Sequence, residues 1–190
     1  MNKEVVLDLE TQKIFSEVSQ NNPRLLGISV VGVYRRETKT YEKFWEGELD
    51  RLWPILEGAD LTIGFNIRKF DFPVLSAYYP GDLTKLPVLD ILESVKESLG
   101  FRIGLDNLAR ATLGLQKTAD GLAAIEFYRQ GEMDKLAEYC LNDVKITKEI
   151  YDYAVKNGSL KYYDLREVRE FRVKLDDDNH KNEIQMSLGV

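Results

Sequence analysis

Apolar positions along the chain fall into short blocks, and the spacing within the blocks changes from strand-like to helical. Val5-Val6-Leu7-Asp8-Leu9-Glu10 is mostly apolar, which predicts a central strand covered on both faces. Residues 11–23 are polar and irregular. Residues 26–34 predict a second strand and 40–45 a third, joined by the polar turn Arg35-Arg36-Glu37-Thr38-Lys39 as a hairpin or meander. Residues 60–65 and 86–89 are shorter strand-like runs. Between them the period lengthens: Leu49, Leu52, Trp53 and Leu56 mark a short helix over 48–57. Asp71-Phe72-Pro73 opens a helix through Tyr79, with proline in the first turn where its missing N–H is no loss. Asp90 and Asp106 precede helical patterns at 91–99 and 107–113 and read as caps. Residues 132–155 form the longest helix, and 160–175 read as a second hairpin. The end from Asp176 onward is a polar, flexible tail.

With 190 residues and neither an internal repeat nor a linker, the pattern is that of one α/β domain over residues 1–175, followed by the tail 176–190. A net charge of −6 argues against a broad basic surface for nucleic acid but says little about one cleft. The single cysteine, Cys140, leaves no internal disulfide and no cysteine cluster for zinc. The first apolar block is too short, and too soon acidic, for a signal peptide. No apolar run approaches membrane-spanning length, so a cytoplasmic protein is expected.

Four acids stand inside apolar stretches. Side chains alternate along a strand, so Asp8 and Glu10 share a face while Val5, Leu7 and Leu9 take the other. Like charges on adjacent same-face positions repel and, in a covered strand, are desolvated. The plain alternative is a half-buried strand with one polar face. In the last helix Leu136, Cys140, Thr147, Ile150 and Ala154 mark a seam, and Asp143 falls on it. An unpaired carboxylate there costs several kcal/mol, which either a cation or an arginine partner removes. Tyr139 lies one turn before Asp143 on the same side; such a tyrosine is commonly core. Asp71, before Pro73, reads equally well as a helix cap.

Together these residues resemble the DEDD superfamily of 3′–5′ exonucleases. Leu7-Asp8-Leu9-Glu10-Thr11 is similar to the family's strand-borne Asp-x-Glu. The run from Gly64-Phe65-Asn66 through Phe70-Asp71-Phe72 resembles its asparagine followed by Phe-Asp. Tyr139-Cys140-Leu141-Asn142-Asp143 matches the Tyr-x-x-x-Asp of the tyrosine branch. The sister branch carries a histidine five residues before the last aspartate, and the one histidine here is His180. The segments 86–90, 104–109 and 117–121 are similar to YprB-type exonuclease domains, which occur alone or beside helicases and other nucleic-acid-processing modules.

The resemblance spans roughly residues 4–174. It implies a ribonuclease H-like mixed sheet with its second strand antiparallel, flanked by helices, and two Mg²⁺ or Mn²⁺ ions held by Asp8, Glu10, Asp71 and Asp143. Hard cations suit carboxylate oxygens. Asp8 would bridge both ions, and Tyr139 would orient the attacking water in a two-metal hydrolysis of phosphodiester bonds. The implied substrate is a single-stranded 3′ end of DNA or RNA, with a helicase or another processing protein as partner. Thr11, Asn66, Arg68, Lys69 and Lys117 are the candidate substrate contacts; Arg68 and Lys69 read equally as solvated loop charges. Phe65, Phe70 and Phe72 could stack a base or simply pack. An endonuclease or RNA-specific relative, and a binding module without catalysis, are the competing expectations.

Overall fold

The computed structural model describes residues 3–115 and 121–175. Its centre is a five-stranded mixed sheet built from β1 (Glu4–Thr11), β2 (Ile28–Arg35), β3 (Thr40–Trp45), β4 (Leu61–Gly64) and β5 (Val88–Asp90) in the order β3-β2-β1-β4-β5. β2 runs antiparallel to β1 and β3 antiparallel to β2, whereas β4 and β5 run parallel to β1. The continuous apolar run of the first strand thus belongs to the middle of the sheet. The α/β expectation of a ribonuclease H-like sheet with its second strand antiparallel matches this architecture.

Both faces of the sheet are covered, which is why β1 could not be simply amphipathic. Val5, Leu7 and Leu9 pack on one side against Leu52, Leu56, Phe72 and Leu75. Leu52 joins a 3₁₀ turn at Glu46–Arg51 to the helix α1 (Trp53–Glu57), which carries Leu56; Phe72 and Leu75 belong to α2 (Asp71–Leu75). The expected single helix over 48–57 is split there, with Pro54 in the first turn of α1. α2 ends at Leu75, short of Tyr79. The segment expected to be irregular holds three 3₁₀ turns at Phe15–Glu17, Ser19–Asn21 and Pro23–Leu25.

On the other face Val6, Tyr34 and Ile63 meet α3 (Ile91–Leu99), α4 (Leu105–Leu113) and the long α6 (Met133–Asn157). All five seam residues of α6 are buried. Asp90 caps α3, accepting from the Leu92 and Glu93 amides. Asp106 is no cap: Gly104 takes that position in α4, and Asp106 falls in the first turn, where a negative charge suits the helix dipole. A further helix that the periodicity reading passed over, α5 (Gly121–Gln130), packs Ala124 against α6. Arg36, in the turn after β2, pairs with Glu4 and with Asp152 of α6 and so staples the end of the sheet to the helix.

The C-terminal hairpin of β6 (Ser159–Asp164) and β7 (Glu167–Arg172) is a separate two-stranded sheet. Asn107 of α4 holds it at both ends of its amide, donating to the Tyr163 carbonyl at 3.0 Å and accepting from the Tyr163 N–H at 2.6 Å. Thr112 does the same with the backbone of Lys161. The tail 176–190 lies outside the described residues.

Candidate active site

β1 presents Asp8 and Glu10 toward α6. The helix reaches them because β2 carries no side chain at Gly32, the cross-strand neighbour of Asp8. A Cβ on Gly32 would lie 2.9 Å from Val144 Cγ2 and 3.0 Å from Cys140 Sγ, closer than packed carbon atoms tolerate. The close approach also lets the Cys140 thiol donate to the Asp8 carbonyl at 3.6 Å. Asp143, one turn further on, is thereby delivered beside the strand. One oxygen each of Asp8, Glu10 and Asp143 lie within 4.8 Å of one another.

These acids open into a cavity of about 420 Å³ whose walls include Asp71, Tyr139 and Thr11. Asp71 is 2% exposed, and its Oδ1 accepts the Leu9 N–H at 3.2 Å. It stands on the same cavity without belonging to the close trio. Burial pushes its carboxyl up to about 7; backbone N–H bonds offset part of that rise, and the charge of Asp90 adds to it. Burial, then the charges of Asp8, Glu10 and Asp143, hold the Cys140 thiol well above its ordinary range, so it stays protonated and offers no thiolate.

The loop before Asp71 is set from below. Gly64 leaves room for Ile67, whose Cβ would otherwise meet a Gly64 Cβ at 2.6 Å. Asn66 then turns through φ +66°. The Asp90 carboxylate accepts the Asn66 N–H at 2.8 Å and the Arg68 N–H at 3.1 Å. It accepts the Leu92 N–H at 3.0 Å as well, so the loop and the start of α3 share one buried anchor. Asp90 was legible as a helix cap; its hold on the loop was not.

The remaining candidate contacts separate. Thr11 is buried, lines the cavity and donates its hydroxyl to the Lys13 carbonyl. The Asn66 side chain accepts from Arg102 at 3.1 Å, beside the cavity wall rather than in it. Arg68 turns away, donating to the Val88 carbonyl at 2.7 Å and pairing with Glu93 at 3.2 Å. Lys69 is more than half exposed and also faces Glu93, at 3.7 Å. Lys117 lies outside the described residues. Phe65 and Phe70 line the cavity, whereas Phe72 lines a neighbouring one. Lys13, Phe15 and Leu122 also line it without having been singled out. The pair Ile14-Phe15, apolar inside a polar stretch, was the available signal. Phe15 stands at 39% exposure with its edge against Phe70.

A model of the RNase_H superfamily matches residues 5–155, from the first residues of β1 nearly to the end of α6. This chain belongs to the RNase_H superfamily. Among curated proteins no sequence matches it significantly. Among solved structures, the superfamily member described here is similar to the family B DNA polymerase of the hyperthermophilic archaeon Pyrobaculum calidifontis, with a TM-score of 0.60 and 17% identity over 82% of this chain and 25% of that one. It is similar to Trypanosoma brucei RNase D, with a TM-score of 0.59 and 19% identity over 82% of this chain and 58% of that one. The same RNase D in complex with RNA U12 aligns at a TM-score of 0.57 and 20% identity, over 82% and 56%. At these identities the likeness is one of fold, and this RNase_H-superfamily chain spans between a quarter and three-fifths of the lengths of the chains it matches.

The donor set of this RNase_H-superfamily site fits a hard divalent cation. All three atoms of the trio are carboxylate oxygens, with no soft or nitrogen ligand among them. Three carboxylates at this spacing repel one another, and Asp71 is penalised for its charge by its surroundings. A cation relieves both. No helix among the described residues is long and apolar enough to cross a membrane.

Proposed function

We propose that this chain is a divalent-metal-dependent 3′–5′ exonuclease of the tyrosine branch of the DEDD superfamily, akin to the YprB-type domains, acting on single-stranded nucleic-acid ends. The observation that carries this reading is the meeting of Asp8, Glu10 and Asp143 within 4.8 Å. It is supported by Asp71 and Tyr139 standing on the same cavity and by the superfamily match. The RNase D neighbour solved with RNA U12 adds support for a nucleic-acid substrate.

Asp8, Glu10 and Asp143, with Asp71 across the cavity, would hold two Mg²⁺ or Mn²⁺ ions. When bound, these supply Lewis-acid activation of the attacking water and charge stabilisation of the departing 3′ oxygen. The chain's own residues do the rest. The carboxylates fix where the phosphate sits, because a negatively charged phosphodiester is accepted only once their charge is neutralised. Tyr139, one turn from Asp143 and on the cavity wall, would orient the water; a phenol is too weak a base at neutral pH to deprotonate it. Phe15, Ile14 and Leu122 give the cavity mouth an apolar lip suited to the faces of an unpaired terminal base.

The test is degradation of 3′- and 5′-labelled DNA and RNA oligonucleotides with Mn²⁺ or Mg²⁺ and with EDTA. Stepwise shortening from the 3′ end, lost in EDTA, is expected. Cutting of a sealed circle, or shortening from the 5′ end, would overturn the exonuclease assignment.

A further inference from the structure

Beside the catalytic cavity lies a second one of about 550 Å³, which nothing above has used. The two share their dividing wall. In the 3₁₀ turn at Pro23–Leu25 and its flanks, Asn22 and Arg24 line the second cavity and Leu26 the catalytic one. At the start of α2, Phe70 and Asp71 line the catalytic cavity while Phe72 and Pro73, the next residues, line the second. Only the width of α2 and the adjoining turn separates them.

The second cavity differs in chemistry from the first. Its wall carries two guanidinium groups, Arg24 and Arg68. Arg24 Nη2 donates to the Ser76 carbonyl at 2.9 Å, whereas Arg68 donates from Nη2 to the Val88 carbonyl at 2.7 Å and pairs through Nε with Glu93 at 3.2 Å, which offsets its charge. A guanidinium has five N–H donors, so one such bond fixes Arg24 while leaving its fork able to meet an anion. The acid on this wall, Asp82, is turned toward Thr84, whose N–H and hydroxyl both donate to it. Phe72 and Tyr79 supply ring surface. Phosphate-binding donors beside aromatic carbon, in a volume that fits a nucleotide, mark a nucleotide subsite rather than a metal site.

We propose that this cavity is an upstream subsite for the strand whose 3′ end occupies the catalytic cavity, with Arg24 contacting its backbone phosphate and Arg68 lining the wall beside it. The proposal rests on the nuclease reading above. It assigns Arg24 a place on the substrate strand one cavity removed from the chemistry. The subsite rewards substrates long enough to cross the α2 wall and leaves the cleavage of the shortest ones alone.

The experiment compares Arg24→Ala, Arg24→Lys and Thr84→Glu in the full chain; Arg24 and Thr84 are exposed, so the fold survives all three. Binding of a fluorescent trinucleotide and a fluorescent dodecanucleotide is measured by anisotropy in an Asp143→Asn background, and cleavage of both in its absence. Arg24→Ala and Thr84→Glu are expected to weaken the dodecanucleotide roughly five-fold, and Arg24→Ala to reduce its salt slope by about one. Arg24→Lys should retain most of the binding, and trinucleotide binding and cleavage should match the parent. Unchanged dodecanucleotide affinity in both Arg24→Ala and Thr84→Glu, or equal losses on both lengths, overturns the subsite. A parent protein that neither binds nor cleaves any oligonucleotide overturns the nuclease reading itself, a distinct result.

Discussion

Asp8, Glu10, Asp71, Tyr139 and Asp143 do not share one environment, and each is expected to fail differently when changed. Asp8 and Asp143 belong to the close trio, so on the proposed reading Asp8→Ala or Asp143→Ala would remove a metal ligand. Turnover on a labelled oligonucleotide should then fall by about 10³-fold or more, as for a side chain acting directly on the reacting centre. On the same reading Tyr139 would orient the water, and Tyr139→Phe should leave measurable activity, reduced roughly 10–100-fold as for a supporting contact. Equal, complete loss in both would contradict the orienting role. Asp71 predicts a pH effect. Its folded value of about 7 lies above the ordinary 3.8, so the metal-free protein keeps this contribution to stability below the unfolded value and loses it as pH rises through 7. In EDTA, the melting temperature of Asp71→Asn should gain on wild type between about pH 4 and pH 7, and Mn²⁺ should close the gap. A constant difference across that range would show that Asp71 is not the titrating group. Among these residues the shared face of Asp8 and Glu10 and the seam position of Asp143 followed from periodicity alone. The surroundings of Asp71 did not, because they depend on the Leu9 amide and on Asp90, remote in the chain.

At the scale of elements, the distance between β1 and α6 governs the site. That distance is set by Gly32, and Gly32→Ala is expected to push Cys140 and Val144 outward and carry Asp143 with them. The expected outcome is a loss of about 1–3 kcal/mol in urea unfolding, as for overpacking, together with weaker Mn²⁺ binding by calorimetry. A destabilised variant with unaltered Mn²⁺ affinity would show that helix position is not what matters. The hairpin offers a contrasting case far from the acids. Asn107→Ala strips a two-sided backbone clamp from Tyr163 and should cost about 1–3 kcal/mol while sparing metal affinity. β1 and β2 were readable as nearly continuous apolar runs buried on both faces, and the long helix by its one periodic seam. The helix α5 carries its signal in Leu122, Ile125 and Tyr128, but the pattern is short and opens on Gly121, a weak helix former. The split at Pro54 and the early end of α2 come from packing against the sheet, which a local pattern does not record.

For the molecule as a whole, the layered plan explains why acids distant in sequence can share one cavity. β1 is central, β4 lies next to it in parallel, and α6 crosses the opposite side of β1 and β2. The C-terminal ends of β1 and β4 and the middle of α6 border one cavity, to which β1 supplies two acids, the segment after β4 one and α6 the last. The α/β class was legible because the sheet's core strands are apolar, and the β2–β3 hairpin because a short polar turn joins it; the antiparallel second strand came with the family resemblance. The two cavities flanking α2 were not, since their walls come from segments that look like unrelated loops in one dimension.

Asp90 carries a consequence for how the site meets its cations. One buried carboxylate collects amide protons from both the loop bearing Asp71 and the first turn of α3. The scaffold is therefore assembled before any ion arrives, and chelation should strip charge compensation without loosening geometry. Amide exchange at Asn66 and Arg68 is expected to stay slow in EDTA, close to the rate of the surrounding core. Fast exchange there, quenched by Mn²⁺, would mean that the cations build the loop rather than dock onto it.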